Sequence, residues 1–213
     1  MRWIARLGQL LKGPLPGPEA QREAFPDAPD RVARCEPGAR PAAVLVLFYP
    51  RPRRWCFLLE KRPENLPVHR GQIGLPGGAQ KPCDPSPEAT ALREAAEELG
   101  LDPLAVEVLG RLSPVYIPAS GFVVTPVVGW QPHPPLLRPN GREVARVLEV
   151  STRALLDPGR FRLETWTLHG RPQRVGCFRF GGETVWGATA MILCELRALL
   201  RQRSSRSAFC NFR

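Results

Sequence analysis

An α/β domain is the fold class this sequence predicts, and three observations lead to it. Apolar runs of strand length stand at 41–50 and 55–59, on either side of a turn-forming Pro-Arg-Pro-Arg-Arg. A strongly signalled helix covers 87–99. Two more strand-like runs, 106–112 and 121–130, and an apolar-striped helix near the end then continue the alternation of strand and helix. This alternation agrees with an α/β arrangement without selecting its topology. A length of 213 residues with 43% hydrophobic content suits one domain with a real core.

Residues 1–12 put Trp3, Ile4, Leu7, Leu10 and Leu11 on one helical stripe, which reads as a short helix packed on the domain or on a second subunit. The segment is basic with no acid before Glu19, as in a transit segment, but it holds no serine. Residues 13–40, rich in Pro, Gly and charge, read as an irregular arm. The expected division is a helix and arm at 1–39, a folded domain at 40–201 and a basic tail at 202–213. The 113–120 segment, S-P-V-Y-I-P-A-S, reads as a loop lining a cleft, where Tyr116 either meets substrate or packs in the core. Proline-rich 131–139 is another loop. Residues 160–168 and 174–180 form a hairpin-like pair. Residues 183–190 open the final helix, whose apolar stripe is Ile192, Leu193, Leu196, Leu199 and Leu200.

The net charge is +10, almost all of it from arginine. Such a balance suits nucleic acid or a small polyanionic substrate. The arginines are scattered rather than clustered, so no nucleic-acid partner is expected. No apolar run approaches the length of a transmembrane helix, so no membrane partner is expected either. The cysteines at 35, 56, 83, 177, 194 and 210 form no C-x-x-C pair. Free thiols in a reducing cytoplasm are the expectation, with no zinc site.

The chemistry concentrates in 69–101. Ser86 can cap the helix, Pro87 suits its first turn, Glu88 favours its positive end and Gly100 stops it. On that helix Glu94, Glu97 and Glu98 stand at i, i+3 and i+4, on one face. Such a run is commonly just a solvated acidic face. Here it follows Pro76-Gly77-Gly78, which lets backbone approach a ligand closely, and Arg93 is embedded in it. Three like charges on one face invite a hard divalent cation such as Mg²⁺.

Arg93-Glu94-Ala95-Ala96-Glu97-Glu98-Leu99-Gly100-Leu101 resembles the second half of the Nudix hydrolase box, apart from the small Ala95 at a bulky aliphatic position. The first half departs from the general box. The Gly78-to-Arg93 spacing is one residue longer, and Pro85 stands where a glutamate is usual. That departure resembles the coenzyme A pyrophosphatase subgroup, which often has an Asp at the place of Asp84. The preceding Leu58-Leu59-Glu60-Lys61-Arg62, Leu66, His69, Gly71-Gln72-Ile73 and Leu75-Pro76-Gly77-Gly78 are similar to the motif before that subgroup's box. Thr125–Gly129, Asn140-x-x-Glu143-Val144-x-x-Val147 and Trp186-Gly187-x-Thr189-Ala190 also resemble subgroup stretches, the last read as a packing motif. The resemblance covers roughly residues 40–200 and agrees over fixed gaps, which makes it far more specific than a short motif.

The resemblance implies a Nudix α/β/α sandwich with a mixed β-sheet. It implies hydrolysis of the diphosphate of coenzyme A or acyl-coenzyme A, giving 3′,5′-ADP and (acyl-)4′-phosphopantetheine, with Mg²⁺ or Mn²⁺ as cofactor. Another nucleoside diphosphate derivative, or a non-catalytic binding role, are the alternatives. Glu94 and Glu98, with Glu97 and the Gly77 carbonyl, would hold the metal. Either Glu97 or Glu143 would be the general base. Arg93 would orient the glutamates by ion pairing. Arg62, Lys61, Gly78 and Tyr116 would meet the substrate, while His69 is not assigned as a base. A homodimer is the expectation from common enzyme practice.

Overall fold

The computed structural model describes residues 2–27, 37–65, 70–168 and 170–202. Leu66, His69, Cys35, Cys210, His169 and most of the expected tail therefore lie outside the described residues. In chain order the elements are α1 (Arg2–Leu11), α2 (Gly17–Gln21), β1 (Arg40–Arg51), β2 (Arg54–Lys61), β3 (Ile73–Gly74), β4 (Gly77–Ala79), α3 (Pro87–Leu99), β5 (Glu107–Arg111), β6 (Val115–Ile117), β7 (Phe122–Trp130), β8 (Arg146–Ser151), α4 (Thr152–Leu156), β9 (Phe161–Leu168), β10 (Arg171–Phe180), β11 (Glu183–Val185) and α5 (Gly187–Arg201).

The main sheet runs β3-β2-β1-β7-β5, with β8 also on β2, β4 on β1 and β6 on β7. β1 pairs in parallel with β7, Leu45 opposite Val127, and the other pairs are antiparallel. The sheet is therefore mixed. The apolar run of β1 reads without alternation because both of its faces are covered. Ala43, Leu45, Leu47 and Tyr49 face Ala91, Ala95 and Leu99 of α3. Val46 and Phe48 face the other way, into a cluster with Ile4, Leu7 and Leu11 of α1 and Ile192, Leu196 and Leu199 of α5. This is the α/β/α layering expected. A second sheet, β11-β10-β9, adds its apolar side to the same cluster.

The α1 stripe docks on this domain. Trp3 stacks on Trp55 with centroids 5.2 Å apart, and Leu11 lies against Gly110 at a bulge in β5. Burying Ile4, Leu7 and Leu11 contributes about 2 kcal/mol each. Part of the arm is also ordered against the core. Gly17 and Ser113 backbone N–H groups and the Gln21 amide all donate to the buried Glu195 carboxylate, which ties α2 to α5.

Two sequence expectations change. The 113–120 loop contains β6, which pairs Tyr116 with Val123. Residues 183–185 are a strand rather than the start of the last helix: Gly181 and Gly182, with φ of 56° and 84°, turn β10 back into β11. Two glycines with positive φ are a hairpin signal, and the turn pre-empts the helix.

α3 is built as expected. Ser86 Oγ accepts from Ala89 N at 3.3 Å, and Gly100 closes the helix with φ 66°. Arg111 reaches across from β5 and donates two hydrogen bonds to Glu88. That pairing pulls the Glu88 carboxyl down to about 2. Its stabilisation is fully present above the unfolded carboxyl range near 4.5 and is lost as pH falls through about 2. The pair is half exposed, so Arg111→Met is expected to remove about 0.5 kcal/mol at neutral pH. Urea denaturation should show the difference between mutant and wild type vanishing below pH 2. Among the described residues no helix is long and apolar enough to cross a membrane.

Candidate active site

Two glycines bring the loop before α3 against its acidic face. Gly77 pairs with Val44 and Gly78 with Ala43. At Gly77, φ is 151° and a Cβ would stand 2.2 Å from the Ala43 carbonyl oxygen. Its N–H donates to Glu98 Oε2 at 2.8 Å. A Cβ on Gly78 would stand 2.6 Å from Glu94 Oε2. The loop thus passes between β1 and the two carboxylates with no room for side chains.

Arg93 is the hub of the polar network. It grips Asp84 in a bidentate pair at 2.9 and 2.8 Å, donates to the Ala79 carbonyl at 3.1 Å, and reaches Glu94 at 2.5 Å and Glu97 at 3.2 Å. Asp84 also accepts from Lys81 N and Thr90 Oγ1. Arg93 holds the Asp84 carboxyl far below its usual range, with the Lys81 N–H assisting. Partial burial works against ionisation of Glu97, but hydrogen bonds from Lys81 and Arg93 prevail and hold it low.

The inner carboxylates behave differently. Glu98 is only 4% exposed. Burial raises its pKa, the Gly77 N–H opposes this, and the charge of Glu94 raises it further. Beside it lies a residue to which sequence reasoning gave no role, Glu60. In β2 the inward positions Cys56 and Leu58 face α3, so Glu60, two further on, projects to the same side. It is 2% exposed, and its Oε2 has no hydrogen-bond partner among the described residues. Burial first, then the charge of Glu98, push its carboxyl up; Arg62 opposes, while Glu143 and Glu94 add to the push. The readable signal was a carboxylate in phase with the buried positions of an apolar strand.

Glu143 reaches this neighbourhood from the loop before β8. Arg138 N donates to Leu99 O and Asn140 N to Glu98 O, both at 2.7 Å, while Ala145 N donates to Lys61 O at 2.8 Å. The loop is thereby stitched between the end of α3 and the end of β2. Asn140 Nδ2 donates to Glu143 Oε2 at 2.9 Å. Four carboxylates, Glu60, Glu94, Glu98 and Glu143, therefore share one field. Crowded acids with an orphaned buried oxygen match the oxygen donors a hard divalent cation takes. Among the described residues no three acidic, His or Cys side chains already converge as a finished cation cage. Glu94 leans on Arg93, and Glu97 on Lys81 and Arg93.

A mainly apolar cleft of about 410 Å³ is lined by Arg62, Tyr116, Pro118, Trp186, Ala188 and Met191, among others. Tyr116 and its segment therefore do line a cleft. Arg62 joins cleft and acids: it lines the former and acts electrostatically on Glu60 and Glu98. Its Nε is buried with no hydrogen-bond partner among the described residues. Lys61 does not line the cleft. Its ammonium is instead engaged by Glu183 at 3.4 Å and Glu64 at 3.6 Å. The Trp186–Thr189 stretch, read from sequence as packing, lines the cleft as well, while Trp186 also packs edge-on against Trp166.

The chain is similar in sequence to known proteins. The family described as NUDIX domain matches residues 39–163. An uncharacterized Nudix hydrolase, NudL, from Photorhabdus laumondii is 36% identical over 168 residues, covering 79% of this chain and 89% of its own. The NudL of Salmonella paratyphi B is 42% identical over 157 residues, covering 74% and 81%. Among solved structures, the MutT protein from Methanosarcina mazei Go1 covers 78% of this chain and 95% of its own at 18% identity, with a TM-score of 0.47.

Proposed function

Because this chain belongs to the Nudix hydrolase family, an enzyme family acting on pyrophosphate-containing substrates, we propose that its substrate is coenzyme A or acyl-coenzyme A, cleaved to 3′,5′-ADP and (acyl-)4′-phosphopantetheine. The observation that carries this reading is the junction at Arg62 between the acid cluster and the apolar cleft. A diphosphate bound at the acids would place a long, weakly polar arm in that cleft, as pantetheine and an acyl chain require. The box spacing and the motif that precedes it support the same subgroup.

Mg²⁺ or Mn²⁺ held by Glu94 and Glu98, with Glu97 and the Gly77 carbonyl as further oxygen donors, would neutralise the diphosphate and make water more acidic. The protein's own groups do the rest. The Gly77 N–H holds Glu98 in place, and Arg93, fully engaged with Asp84, Glu94 and Glu97, is a positioning residue. Arg62 donates to a phosphate oxygen. Glu143 is the better-placed general base, because Glu97 is tied to two cations and is correspondingly weakly basic. As water attacks one phosphorus in line, Glu143 takes its proton. The bond from that phosphorus to the bridging oxygen breaks, and the second phosphate leaves. The free thiols of Cys56, Cys83, Cys177 and Cys194 suit a reducing cytoplasm.

The test is hydrolysis with Mg²⁺ or Mn²⁺ of coenzyme A, hexanoyl-coenzyme A, ADP-ribose, NADH and nucleoside triphosphates at equal concentration. The coenzyme A pair should lead in kcat/KM, with 3′,5′-ADP as a product. Ala188→Phe, which narrows the cleft, is expected to raise KM for hexanoyl-coenzyme A by about 10-fold or more, with a smaller effect on ADP-ribose. If another diphosphate leads, the hydrolytic chemistry stands and the coenzyme A assignment falls. If none is cleaved, a binding role replaces catalysis.

A further inference from the structure

We propose that Glu60 is an additional carboxylate of the metal site, supplied by the sheet opposite the helix that carries the other acids. The inference rests on the reading that Glu94 and Glu98 hold a divalent cation, and not on which diphosphate is cleaved. Three observations carry it. First, β2 alternates so that Cys56 and Leu58 pack toward α3, and Glu60 continues that row as its only buried charged member, Arg54 at the strand's start being exposed. Second, its strand neighbours leave its inner end free. Glu60 stands opposite Gly74, which has no side chain, on one side and Val147 on the other, so neither cross-strand partner offers it a donor. Third, it is 2% exposed and its Oε2 has no hydrogen-bond partner among the described residues. Its electrostatic neighbours are Glu98, Glu143 and Glu94, with Arg62 the cation that acts on it.

A buried carboxylate facing carboxylates is costly unless something positive binds between them. Arg62 alone is one charge against four acids, and it also borders the cleft, where a phosphate competes for it. A small divalent ion taking oxygens from both β2 and α3 meets the requirement. The ligands would then come from two layers of the fold. Sheet and helix would be pinned together when the ion is bound, so stability gains should accompany binding.

The experiment measures Mn²⁺ alone, without substrate, on the full chain. Wild type and Glu60→Gln are titrated by calorimetry and by the loss of free Mn²⁺ signal in electron paramagnetic resonance, and the thermal midpoint is followed with and without Mn²⁺. Glu60→Gln keeps size and shape and removes the charge. The metal-free variant is expected to melt no lower than wild type, its Mn²⁺ affinity to fall by about 10- to 100-fold, and the Mn²⁺-induced rise in midpoint to shrink. Glu60→Leu guards against a fold effect of the amide and should weaken Mn²⁺ equally. If both variants bind Mn²⁺ within twofold of wild type and keep the full midpoint shift, Glu60 is not part of the site, while Glu94 and Glu98 remain its ligands. If wild type itself binds no Mn²⁺, this inference and the metal reading of the proposed function both fall. Loss of coenzyme A specificity would touch neither.

Discussion

Glu98→Gln is expected to lower Mg²⁺- or Mn²⁺-dependent diphosphate hydrolysis by about 10³-fold in kcat, equivalent to about 4 kcal/mol of transition-state stabilisation. The amide is isosteric, and its oxygen can still accept from the Gly77 N–H, which Glu98 Oε2 accepts at 2.8 Å. What it removes is one negative charge from a field that already contains Glu60, Glu94 and Glu143. The metal-free variant should therefore be no less stable than wild type, because relieved repulsion offsets any weaker hydrogen bond. This separates a ligand from a structural acid. A structural role predicts a lower thermal midpoint with little change in rate, and persistence of hydrolysis near the wild-type rate would sink the assignment of Glu98 to the metal. Single-turnover kinetics at saturating substrate is the measurement, since it isolates the chemical step.

Gly77→Ala is expected to cost at least about 3 kcal/mol of stability, lowering the melting midpoint by on the order of 10 °C. Two independent strains combine. The backbone φ of 151° is one that side-chain-bearing residues rarely adopt, and the new Cβ would stand 2.2 Å from the Ala43 carbonyl oxygen. That neighbour is the backbone of β1, which is buried on both faces and cannot move aside. Gly78→Ala makes the contrast. Its Cβ meets the Glu94 carboxylate, the far end of a side chain that can swing, and no positive φ is involved. The variant should fold with a midpoint close to wild type but lose activity, because a displaced Glu94 is no longer where a cation needs it. Equal midpoints for the two alanine variants would refute the claim that a Cβ is excluded by rigid backbone at Gly77 and only by a movable side chain at Gly78. Circular dichroism melts followed by activity at a temperature where both are folded decide it.

Much of the site was legible because its parts are local. Glu94, Glu97 and Glu98 of α3 lie within five residues, the capping serine and the terminal glycine bracket them, and Arg93 sits among its own partners. A helix places such neighbours on one face whatever the rest of the chain does. The role of Asp84 was less visible, since its pairing with Arg93 spans nine residues and depends on the loop being folded back. Glu60 was legible only as a carboxylate in phase with the buried positions of its strand, not as a member of the site. Its strand could be read, but which of its two faces meets α3 depends on the pairing of β1 with β2 and β7, which residue types alone do not encode. The same holds for Lys61 and Arg62, adjacent in sequence and similar in charge. Lys61, the last residue of β2, is held by Glu183 and Glu64, while Arg62, just past the strand end, lines the cleft and acts on the acids.

The amino-acid pattern was therefore sufficient for what short-range physics dictates: the helix with its acids and caps, the apolar strands, the glycine pair, and a motif with fixed gaps that resembles one hydrolase family. Tertiary structure decided what depends on distant segments meeting. It docked α1 and part of the arm onto the sheet, turned 183–185 into a strand through the Gly181-Gly182 hairpin, brought Glu143 and Glu60 to the acids of α3, and opened the Trp186–Thr189 stretch onto the cleft. The physical reason is the same in each case. Local propensity chooses an element, while burial and pairing choose which of its faces is used, and chemistry at this site depends on the face.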